Sequence, residues 1–314
     1  MRVLVTGAGG FVGGHLVPAL SLEGHEVIAV SQSPFDSPGA TETDAFDMMD
    51  FEALSKTLEK YSPQGIIHLA GQASVPRSWE DPSGTYEVNL IGTSNLLRAI
   101  EDRDTRVLLI GSAQEYGPGK PGRPMLESDE LSPRSPYALS KMFQELLGSM
   151  YFHKQQMPVV MARPFNHTGP GQSSDYVVGA FCAQLVQLEQ TGGHPVLNVG
   201  NLDPIRDLLD VRDVVDAYRL LIESGTPGEI YNVSSGTGIQ IREVLRILLE
   251  ASTLPDGAQI VDETTDRAGD ADWLVGDNSK VRDHIGWSPQ IPIEKSLFDT
   301  LTWYRSVSHQ ERSI

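Results

Sequence analysis

The sequence predicts an α/β protein built around a doubly wound parallel sheet, with a smaller α/β domain interleaved towards its C-terminal side. Short apolar runs rich in β-branched residues alternate with longer stretches of helical periodicity. A glycine-rich turn directly follows the first apolar run. Strands that are apolar along their whole length are typical of parallel sheets, which helices cover on both faces. Such alternation over 314 residues favours one large sheet with right-handed crossovers.

Six strands and five helices account for most of this pattern. The predicted strands are Val3–Thr6, Glu26–Val30, Gly65–Ala70, Arg106–Gly111, Val159–Arg163 and Ile230–Val233. The predicted helices are Glu52–Lys60, Thr85–Ile100, Tyr137–Gln155, Val211–Ile222 and Arg242–Glu250. Residues 117–124 must form a loop because their density of glycine and proline suits neither kind of element.

The alternation fades after Arg163, where the chain becomes rich in glycine, proline and aspartate. We therefore expect the main domain to comprise residues 1–165 and 212–236, with the run Ile230–Val233 returning to the main sheet. The smaller domain is predicted from residues 166–211 and 237–314, so that the two domains interleave.

Composition excludes several classes of function. A net charge of -18 argues against a nucleic-acid surface, which needs a basic face. No apolar run is long enough to cross a bilayer, and Met1 and Arg2 lead straight into a strand, which leaves no room for a signal peptide. The single cysteine, Cys182, fits a reducing compartment, so a cytoplasmic protein is expected. The eight histidines show no metal-ligand spacing, and no metal is predicted.

The turn after the first strand carries glycines at every third position, Gly7, Gly10 and Gly13. Gly7 permits a tight turn, Gly10 allows the backbone to approach a pyrophosphate, and Gly13 allows close packing of the helix on the strand. The position at the first strand-to-helix junction predicts the dinucleotide-binding turn of a Rossmann fold, with the phosphates at the helix N-terminus.

The type of dinucleotide depends on the end of the second strand. A carboxylate there binds the ribose 2′-hydroxyl of NAD, and an arginine suits the 2′-phosphate of NADP. Here Ser31, Gln32 and Ser33 supply neither signal, and the absence of an acid favours NADP(H) weakly over NAD(H). Asp47 and Met48 either hold the adenine edge or belong to an ordinary loop.

A catalytic pair is predicted at the start of the helix Tyr137–Gln155. Tyr137 and Lys141 lie four residues apart, on one helix face, after the capping pair Ser135 and Pro136. An ammonium group and the helix N-terminus both favour phenolate, so we expect a lowered pKa for the Tyr137 phenol. Ser112, directly after a strand, supplies a hydroxyl that should face the cofactor.

Together, the glycine turn, the strand-terminal serine and the Tyr-x-x-x-Lys pair resemble the extended short-chain dehydrogenase/reductase family over essentially the whole chain. The resemblance implies that Tyr137 exchanges a proton with a substrate oxygen, that Ser112 holds this oxygen, and that Lys141 binds the nicotinamide ribose and tunes Tyr137. The cofactor-binding residues that we predict are Gly7, Gly10, Phe11, Val12, Gly13, Ser31, Asp47, Met48, Leu69, Ala70, Gly71, Tyr137 and Lys141.

Four further stretches resemble the branch of that family that acts on GDP-linked 6-deoxyhexoses. These are residues 68–72, 88–93, 163–172 and 206–207. The resemblance implies a nucleotide-diphosphate sugar as the substrate. The substrate-binding residues that it implies are Gln72, Gln114, Asn166, Arg206, Arg267 and Asp270. The alternative for each arginine is a local ion pair: Arg206 with Asp207 or Asp210, and Arg267 with Asp266 or Asp270. Asp270 is also shorter than the glutamate that relatives have at this place.

One residue separates reduction from dehydration within this branch. Family dehydratases place a glutamate two residues after the strand-terminal Ser or Thr, where it acts as an acid-base catalyst. Gln114 occupies that position here and cannot act as a base. Glu115 is adjacent, but along an extended segment its side chain should point the other way.

The sequence therefore favours reduction over dehydration. The resemblance implies that the reaction reduces the 4-keto group of a nucleotide-linked 6-deoxyhexose, with GDP-4-keto-6-deoxy-D-mannose converted to GDP-D-rhamnose. The alternative is a 4,6-dehydratase or 4-epimerase with tightly bound NAD(P). The resemblance also implies a homodimer that forms a four-helix bundle from the helices near Thr93–Glu101 and Tyr137–Met150.

Overall fold

The computed structural model describes residues 1–101, 104–191, 196–255, 259–262 and 272–310. Thirteen strands lie in these residues: β1 (Arg2–Thr6), β2 (Glu26–Ser31), β3 (Glu42–Ala45), β4 (Gly65–His68), β5 (Arg106–Ile110), β6 (Val159–Pro164), β7 (Asn166–Thr168), β8 (Val196–Val199), β9 (Ile205–Asp210), β10 (Ile230–Val233), β11 (Gly238–Gln240), β12 (Gln259–Asp262) and β13 (Trp273–Leu274).

The helices of the described residues are α1 (Phe11–Leu22), α2 (Phe51–Tyr61), α3 (Val75–Glu80), α4 (Pro82–Tyr86), α5 (Gly92–Ala99), α6 (Pro136–Gln155), α7 (Val177–Thr191), α8 (Val211–Ser224), α9 (Ile241–Ala251), α10 (Ser279–Ile285) and α11 (Ile293–Gln310). A π-helical turn joins α4 to α5 at Glu87–Ile91, and a 3-10 turn follows β5 at Ala113–Tyr116. None of these helices is long and apolar enough to cross a membrane.

Seven parallel strands of the described chain form the main sheet, in the order β10-β6-β5-β4-β1-β2-β3. The strand order reverses at β1, which lies between β4 and β2, and ligands of doubly wound sheets bind beside such a switch point. The predicted fold class is confirmed. The predicted return of Ile230–Val233 to the main sheet is also confirmed, because β10 pairs with β6; the exact domain boundaries stay a prediction.

Helices cover both faces of the main sheet. Val3 and Val5 of β1 belong to a buried cluster with α1 and α8, whereas Leu4, between them, belongs to a cluster with α2 and α5. Successive side chains of a strand point to opposite faces, so each strand contributes to both clusters. This arrangement explains why the strand sequences are apolar throughout.

The predicted single helix over Thr85–Ile100 is wrong in detail, because the segment is divided into α4, the π-helical turn and α5. The wide turn contains Asn89, whose buried amide donates to the Gln72 carbonyl at 3.0 Å and to the Ser140 hydroxyl at 2.8 Å. These two tertiary hydrogen bonds hold Asn89 in the π-helical turn. Such turns within helices are frequent at functional sites.

The part of the chain after Arg163, where the strand-helix alternation fades in the sequence, contains further regular elements. Two smaller sheets follow, one of β11, β9, β13 and β7 and one of β12 and β8. Helices α7, α9 and α11 pack together around a separate apolar cluster that includes Leu185, Leu245 and Leu301. The smaller domain is therefore built as regularly as the main sheet.

Replacing Leu301 by alanine should destabilise the packing of α11 strongly. Leu301 is fully buried, whereas Phe298 on the same helix is 52% exposed. We expect Leu301→Ala to lower the free energy of unfolding by about 2–5 kcal/mol, because it removes buried methyl groups and leaves a cavity. Phe298→Ala is the matched control, with a loss below about 1 kcal/mol. Urea unfolding measures both, and equal losses would contradict the packing described for α11.

Candidate active site

The glycine turn between β1 and α1 meets the end of β4 at the carboxyl edge of the sheet. Gly7 has a φ of +69°, and a Cβ there would lie 2.6 Å from the Ala70 nitrogen. A Cβ on Gly13 would lie 2.4 Å from the Ala8 carbonyl oxygen. No side chain caps α1, which begins after the exposed Gly10. Its first backbone N–H groups therefore suit a pyrophosphate, and the residues present fit a dinucleotide.

The end of β2 lies beside this turn. A Cβ on Gly9 would approach the Ser31 Oγ to 2.8 Å, so the serine is close to the turn. The Gln32 amide donates to the Asp47 carboxylate at 3.0 Å. Residues 31–33 themselves contain no acid, but the segment after β3 brings Asp47 beside the end of β2. The role of Asp47 at the adenine edge stays a prediction. The Met48 side chain packs in the core beneath α5.

The three predicted catalytic side chains converge at the ends of β5 and α6. Ser112 follows β5 and its side chain is hydrogen-bonded to that of Tyr137. Tyr137 and Lys141 are one turn apart on α6, whose first turn is capped by the Ser135 hydroxyl. A Cβ on Gly71 would lie 3.6 Å from the Lys141 Nζ, which places the lysine beside the end of β4.

Burial controls the protonation of Tyr137 and Lys141. It raises the pKa of Tyr137 above the ordinary value of 10.0, and the hydrogen bond from Ser112 opposes the rise only in part. Burial also lowers the pKa of Lys141 to about 8. The Lys141 ammonium donates to the Ile110 carbonyl at 2.9 Å and to Gln144 at 3.0 Å. The predicted lowering of the Tyr137 pKa is therefore wrong, because desolvation of the phenolate, together with the nearby Tyr176 and Glu115, outweighs the hydrogen bond from Ser112.

A polar chain runs from the sheet to Lys141. Buried His68 bonds to the Thr6 hydroxyl at 2.8 Å and to the Thr93 hydroxyl at 3.0 Å. Gln144 donates to the same Thr93 oxygen at 2.8 Å and accepts from Lys141. Burial lowers the pKa of His68 to about 3, so the ring is neutral and serves as a structural link in this chain. Sequence reasoning missed Gln144, although its spacing from Lys141 indicates the same helix face.

A cavity of about 510 Å³ opens beside Gly71 and contains residues that the sequence analysis did not identify. Arg77, Asp175 and Tyr176 line it together with Gln72. The Gln72 amide donates to the Ser74 carbonyl at 2.9 Å and to the Thr85 hydroxyl at 3.0 Å, so its side chain is held in the wall. Because α3 and the loop before α7 are distant in the sequence, only the fold brings these side chains together.

The other predicted substrate residues lie on three elements. Asn166 is exposed on β7, and Gln114 is half-buried in the 3-10 turn. Arg206 is nearly buried on β9 and donates to the Ile205 carbonyl at 3.1 Å. Asp210 forms an ion pair with Arg212 at 2.7 Å. Arg267 and Asp270 lie outside the described residues.

The predicted extended segment after Ser112 is wrong, since residues 113–116 form the 3-10 turn. Ser112 caps this turn, and Glu115 accepts a hydrogen bond from the Ser112 backbone nitrogen at 2.7 Å. Glu115 is fully buried beneath the site. The turn, rather than strand alternation, directs the Glu115 side chain inward.

The start of α1 contacts the segment that contains Asn166. The rings of Phe11 and His167 stack with a centroid distance of 6.2 Å and an interplanar angle of 7°. The His15 ring bonds to the Pro170 carbonyl at 2.8 Å. His167 itself bonds to the Phe165 carbonyl. The predicted cofactor turn and one predicted substrate segment are therefore neighbours.

A dinucleotide turn at a sheet switch point and a Ser-Tyr-Lys group on the adjoining strand and helix define an extended short-chain dehydrogenase/reductase. Residues 4–300 match the model of one family, GDP-mannose 4,6 dehydratase. The chain is 34% identical over 314 residues to GDP-6-deoxy-D-mannose reductase of Pseudomonas aeruginosa, covering 99% of each protein. It is 31% identical to UDP-glucose 4-epimerase of Mycolicibacterium smegmatis, covering 98% of this chain and 100% of that protein.

Solved structures show the same likeness. The structure of RMD from Pseudomonas aeruginosa complexed with NADPH has a TM-score of 0.87 at 33% identity, covering 98% of this chain and 100% of that chain. Thermus thermophilus UDP-glucose 4-epimerase in complex with NAD has a TM-score of 0.88 at 30% identity, covering 97% of this chain and 99% of that chain. The chain belongs to the GDP-mannose 4,6-dehydratase family of extended short-chain dehydrogenases/reductases. The predicted family and the predicted NAD(P)-dependent enzyme class are confirmed.

A carboxylate introduced at the end of β2 should change the cofactor preference. In Ser31→Asp the new carboxylate should repel a 2′-phosphate and accept a hydrogen bond from a 2′-hydroxyl. We expect the ratio of the Kd values for NADPH and NADH to rise about tenfold or more. Fluorescence titration of both cofactors measures this ratio, and Ser33→Asp is the control for added charge. An unchanged ratio, or the same change in the control, would show that Ser31 does not face the ribose.

Proposed function

We propose that this protein reduces the 4-keto group of a nucleotide-linked 6-deoxyhexose, converting GDP-4-keto-6-deoxy-D-mannose to GDP-D-rhamnose. The observation that carries this proposal is the combination of a Ser112-Tyr137-Lys141 group with an amide, Gln114, in the turn that Ser112 caps. The full-length similarity to the Pseudomonas aeruginosa reductase supports the same substrate.

The proposed cofactor is NADPH, which supplies the hydride when bound. Gly7, Gly10 and Gly13 leave the backbone of the first turn open for its pyrophosphate. Ser31 and Asp47 would lie at the adenosine end, where the serine hydroxyl can donate to a phosphate and the carboxylate can accept from the adenine amino group. The complex of the similar Pseudomonas aeruginosa protein with NADPH supports this choice over NADH.

The three catalytic side chains would deliver a proton to the sugar oxygen. Because burial raises its pKa, the Tyr137 phenol is protonated at neutral pH and is ready to act as a general acid. The Ser112 hydroxyl, which bonds to Tyr137, can donate to the same sugar oxygen as negative charge develops there. The buried Lys141 ammonium would hold the nicotinamide ribose and favour the Tyr137 phenolate that is left behind.

The geometry supports dehydratase activity less well than reductase activity. Dehydration at sugar C5 and C6 requires a base that removes the C5 proton, and an amide at residue 114 cannot accept it. The neighbouring Glu115 is fully buried and bonded to the Ser112 backbone. Epimerization needs no such base, and the similarity to UDP-glucose 4-epimerases favours it as the second candidate. A 4-epimerase would retain its cofactor and turn over without added NADPH.

The proposed place of the hexose is the cavity beside Gly71. Its polar wall contains Arg77, Asp175 and Tyr176, whose side chains can bond to sugar hydroxyls. The diphosphate would extend towards Asn166 and Arg206. Bidentate arginine suits a diphosphate, and it must act against a net charge of -18.

We also propose a homodimer. Phe143, Leu146 and Met150 occupy one face of α6 at spacings of three and four residues, and Leu146 and Met150 are 48% and 66% exposed. Val88 and Ile91 of the π-helical turn, which packs against α6, are exposed as well. An apolar stripe of this kind would be buried by the same helices of a second copy in a four-helix bundle.

The reductase proposal predicts stoichiometric consumption of reduced cofactor. GDP-4-keto-6-deoxymannose, made in situ by a dehydratase, should be reduced with equimolar loss of NADPH absorbance. Tyr137→Phe should lower kcat by about 10²–10⁴-fold, because it removes the proton donor. Tyr151→Phe, on the same helix but away from Ser112, is the matched control and should retain activity. Turnover of a nucleotide sugar without NADPH consumption would instead favour the epimerase.

The dimer proposal predicts that one charge on the α6 stripe separates the copies. Leu146→Glu buries a carboxylate in the proposed interface, which is costly, and should yield a monomer. Lys56→Glu, at an exposed position of α2 outside the proposed bundle, is the control and should stay dimeric. Light scattering after size-exclusion chromatography gives both masses. A monomeric wild-type protein, or a dimeric Leu146→Glu variant, would contradict the proposed interface.

A further inference from the structure

Glu115 is a buried carboxyl group that the proposed mechanism does not use. It forms reciprocal hydrogen bonds with the catalytic serine: its Oε1 accepts from the Ser112 nitrogen at 2.7 Å, and its own nitrogen donates to the Ser112 carbonyl at 3.1 Å. The Glu115 carbonyl also accepts from the Ser132 nitrogen at 2.9 Å. Glu115 therefore fixes the backbone of Ser112 on one side and the segment before α6 on the other.

The nearest cation is already engaged by other partners. The Arg163 Nε and Nη2 donate to the two Glu145 oxygens at 2.7 and 2.6 Å. Its Nη1 donates to the Tyr116 hydroxyl at 2.8 Å and to the Glu127 carbonyl at 3.1 Å. The Glu115 Oε2 lies 3.7 Å from the Arg163 Nε and has no hydrogen-bond partner in the described part of the chain.

Two carboxyl groups thus share one guanidinium in a place that excludes water. Burial and the negative charge of Glu145 raise the pKa of Glu115, and Arg163 and Lys141 lower it by less. The groups that face Glu115 are Arg163 from β6, Glu145 and Lys141 from α6, and Tyr116 from its own turn. With this set of neighbours, the uncharged acid is the form that is stable at neutral pH.

We propose that Glu115 is a positioning residue: as a neutral carboxylic acid, it holds the Ser112 backbone so that the serine hydroxyl meets Tyr137. Its neutrality also matters for proton transfer. A negative charge on Glu115 raises the pKa of Tyr137, which would make the phenolate harder to form when the proton leaves. Glu115 therefore acts through Ser112 and Tyr137 and does not touch the substrate. This inference rests on the proposed ketoreductase reaction for its kinetic test.

Three variants test the inference by kinetics. Glu115→Gln keeps an oxygen for the Ser112 nitrogen and cannot ionise, so we expect kcat within about threefold of wild type near neutral pH. Glu115→Ala leaves that buried nitrogen without a partner and should lower kcat about 10–100-fold with little change in KM. In wild type, ionisation of Glu115 at alkaline pH adds a charge that disfavours the Tyr137 phenolate, so the part of the alkaline fall of kcat that comes from this ionisation should be absent in Glu115→Gln. Glu127→Gln, whose carboxylate accepts from the Asn232 nitrogen, is the control and should keep the wild-type profile.

The kinetic outcomes decide the role of Glu115. Restored activity in the glutamine variant, together with the altered alkaline limb, would support a neutral positioning residue. If Glu115→Gln is as impaired as Glu115→Ala, the negative charge is required and the inference is wrong. It is also wrong if Glu115→Ala keeps the wild-type kcat, or if the alkaline limb of Glu115→Gln is unchanged.

Unfolding measurements test the protonation state without any turnover. A carboxyl whose pKa is raised above the ordinary 4.5 on folding binds its proton more tightly in the folded state. Its contribution to stability therefore falls as the pH rises from the ordinary pKa to the raised pKa. The folding equilibrium constant of Glu115→Gln relative to wild type should therefore increase with pH, by at most about tenfold per pH unit. Urea unfolding at about pH 5 and about pH 8 measures this ratio.

The two tests separate failure of the inference from failure of the proposed function. If wild-type protein consumes no NADPH with the keto sugar, the proposed function fails, and the unfolding ratio alone decides whether Glu115 is neutral. A ratio that does not change with pH would overturn the inference, whatever reaction the enzyme catalyses. A ratio that rises with pH would support it.

Discussion

The backbone contact between the glycine turn and the end of β4 is the constraint on which the site depends. A side chain at Gly7 would overlap the Ala70 nitrogen, so the turn approaches β4 only because residue 7 is glycine. The same approach places Gly71 beside Lys141. The hydrogen-bonded chain from Thr6 through His68 then ties both strands to the helix that carries the lysine. Cofactor turn and catalytic helix are thus positioned by one junction of strands.

The strands of the main sheet could be predicted wherever burial on both faces leaves a continuous apolar run. The edge strand β3, Glu42–Ala45, could not, because its Glu-Thr-Asp-Ala sequence has no such run and it is half exposed. The break between α4 and α5 could not be predicted from the sequence either. The sequence there is helical by periodicity, and the interruption is fixed by the bonds of Asn89 to Gln72 and Ser140, which lie far away in the chain.

The convergence of the three candidate catalytic residues could be predicted from the sequence, but their protonation could not. Helix spacing places Tyr137 and Lys141 on one face, and the strand end places Ser112. Spacing gives no measure of burial, and burial sets the direction of both pKa shifts. Likewise, Arg77 and Tyr176 carry no local motif, since they become neighbours only where α3 and the loop before α7 enclose the cavity.

The ionisable groups around Ser112 share a trend that bears on the chemistry. Burial moves each of them towards its uncharged form: the pKa rises for Tyr137 and Glu115 and falls for Lys141 and His68. Such a site keeps the proton on the Tyr137 phenol. Reduction of a ketone creates an alkoxide that must receive a proton, whereas 4,6-dehydration includes a step in which a base removes a proton from sugar C5. The desolvation that raises the Tyr137 pKa thus suits the first reaction, and Gln114 follows the same logic because it cannot accept a proton.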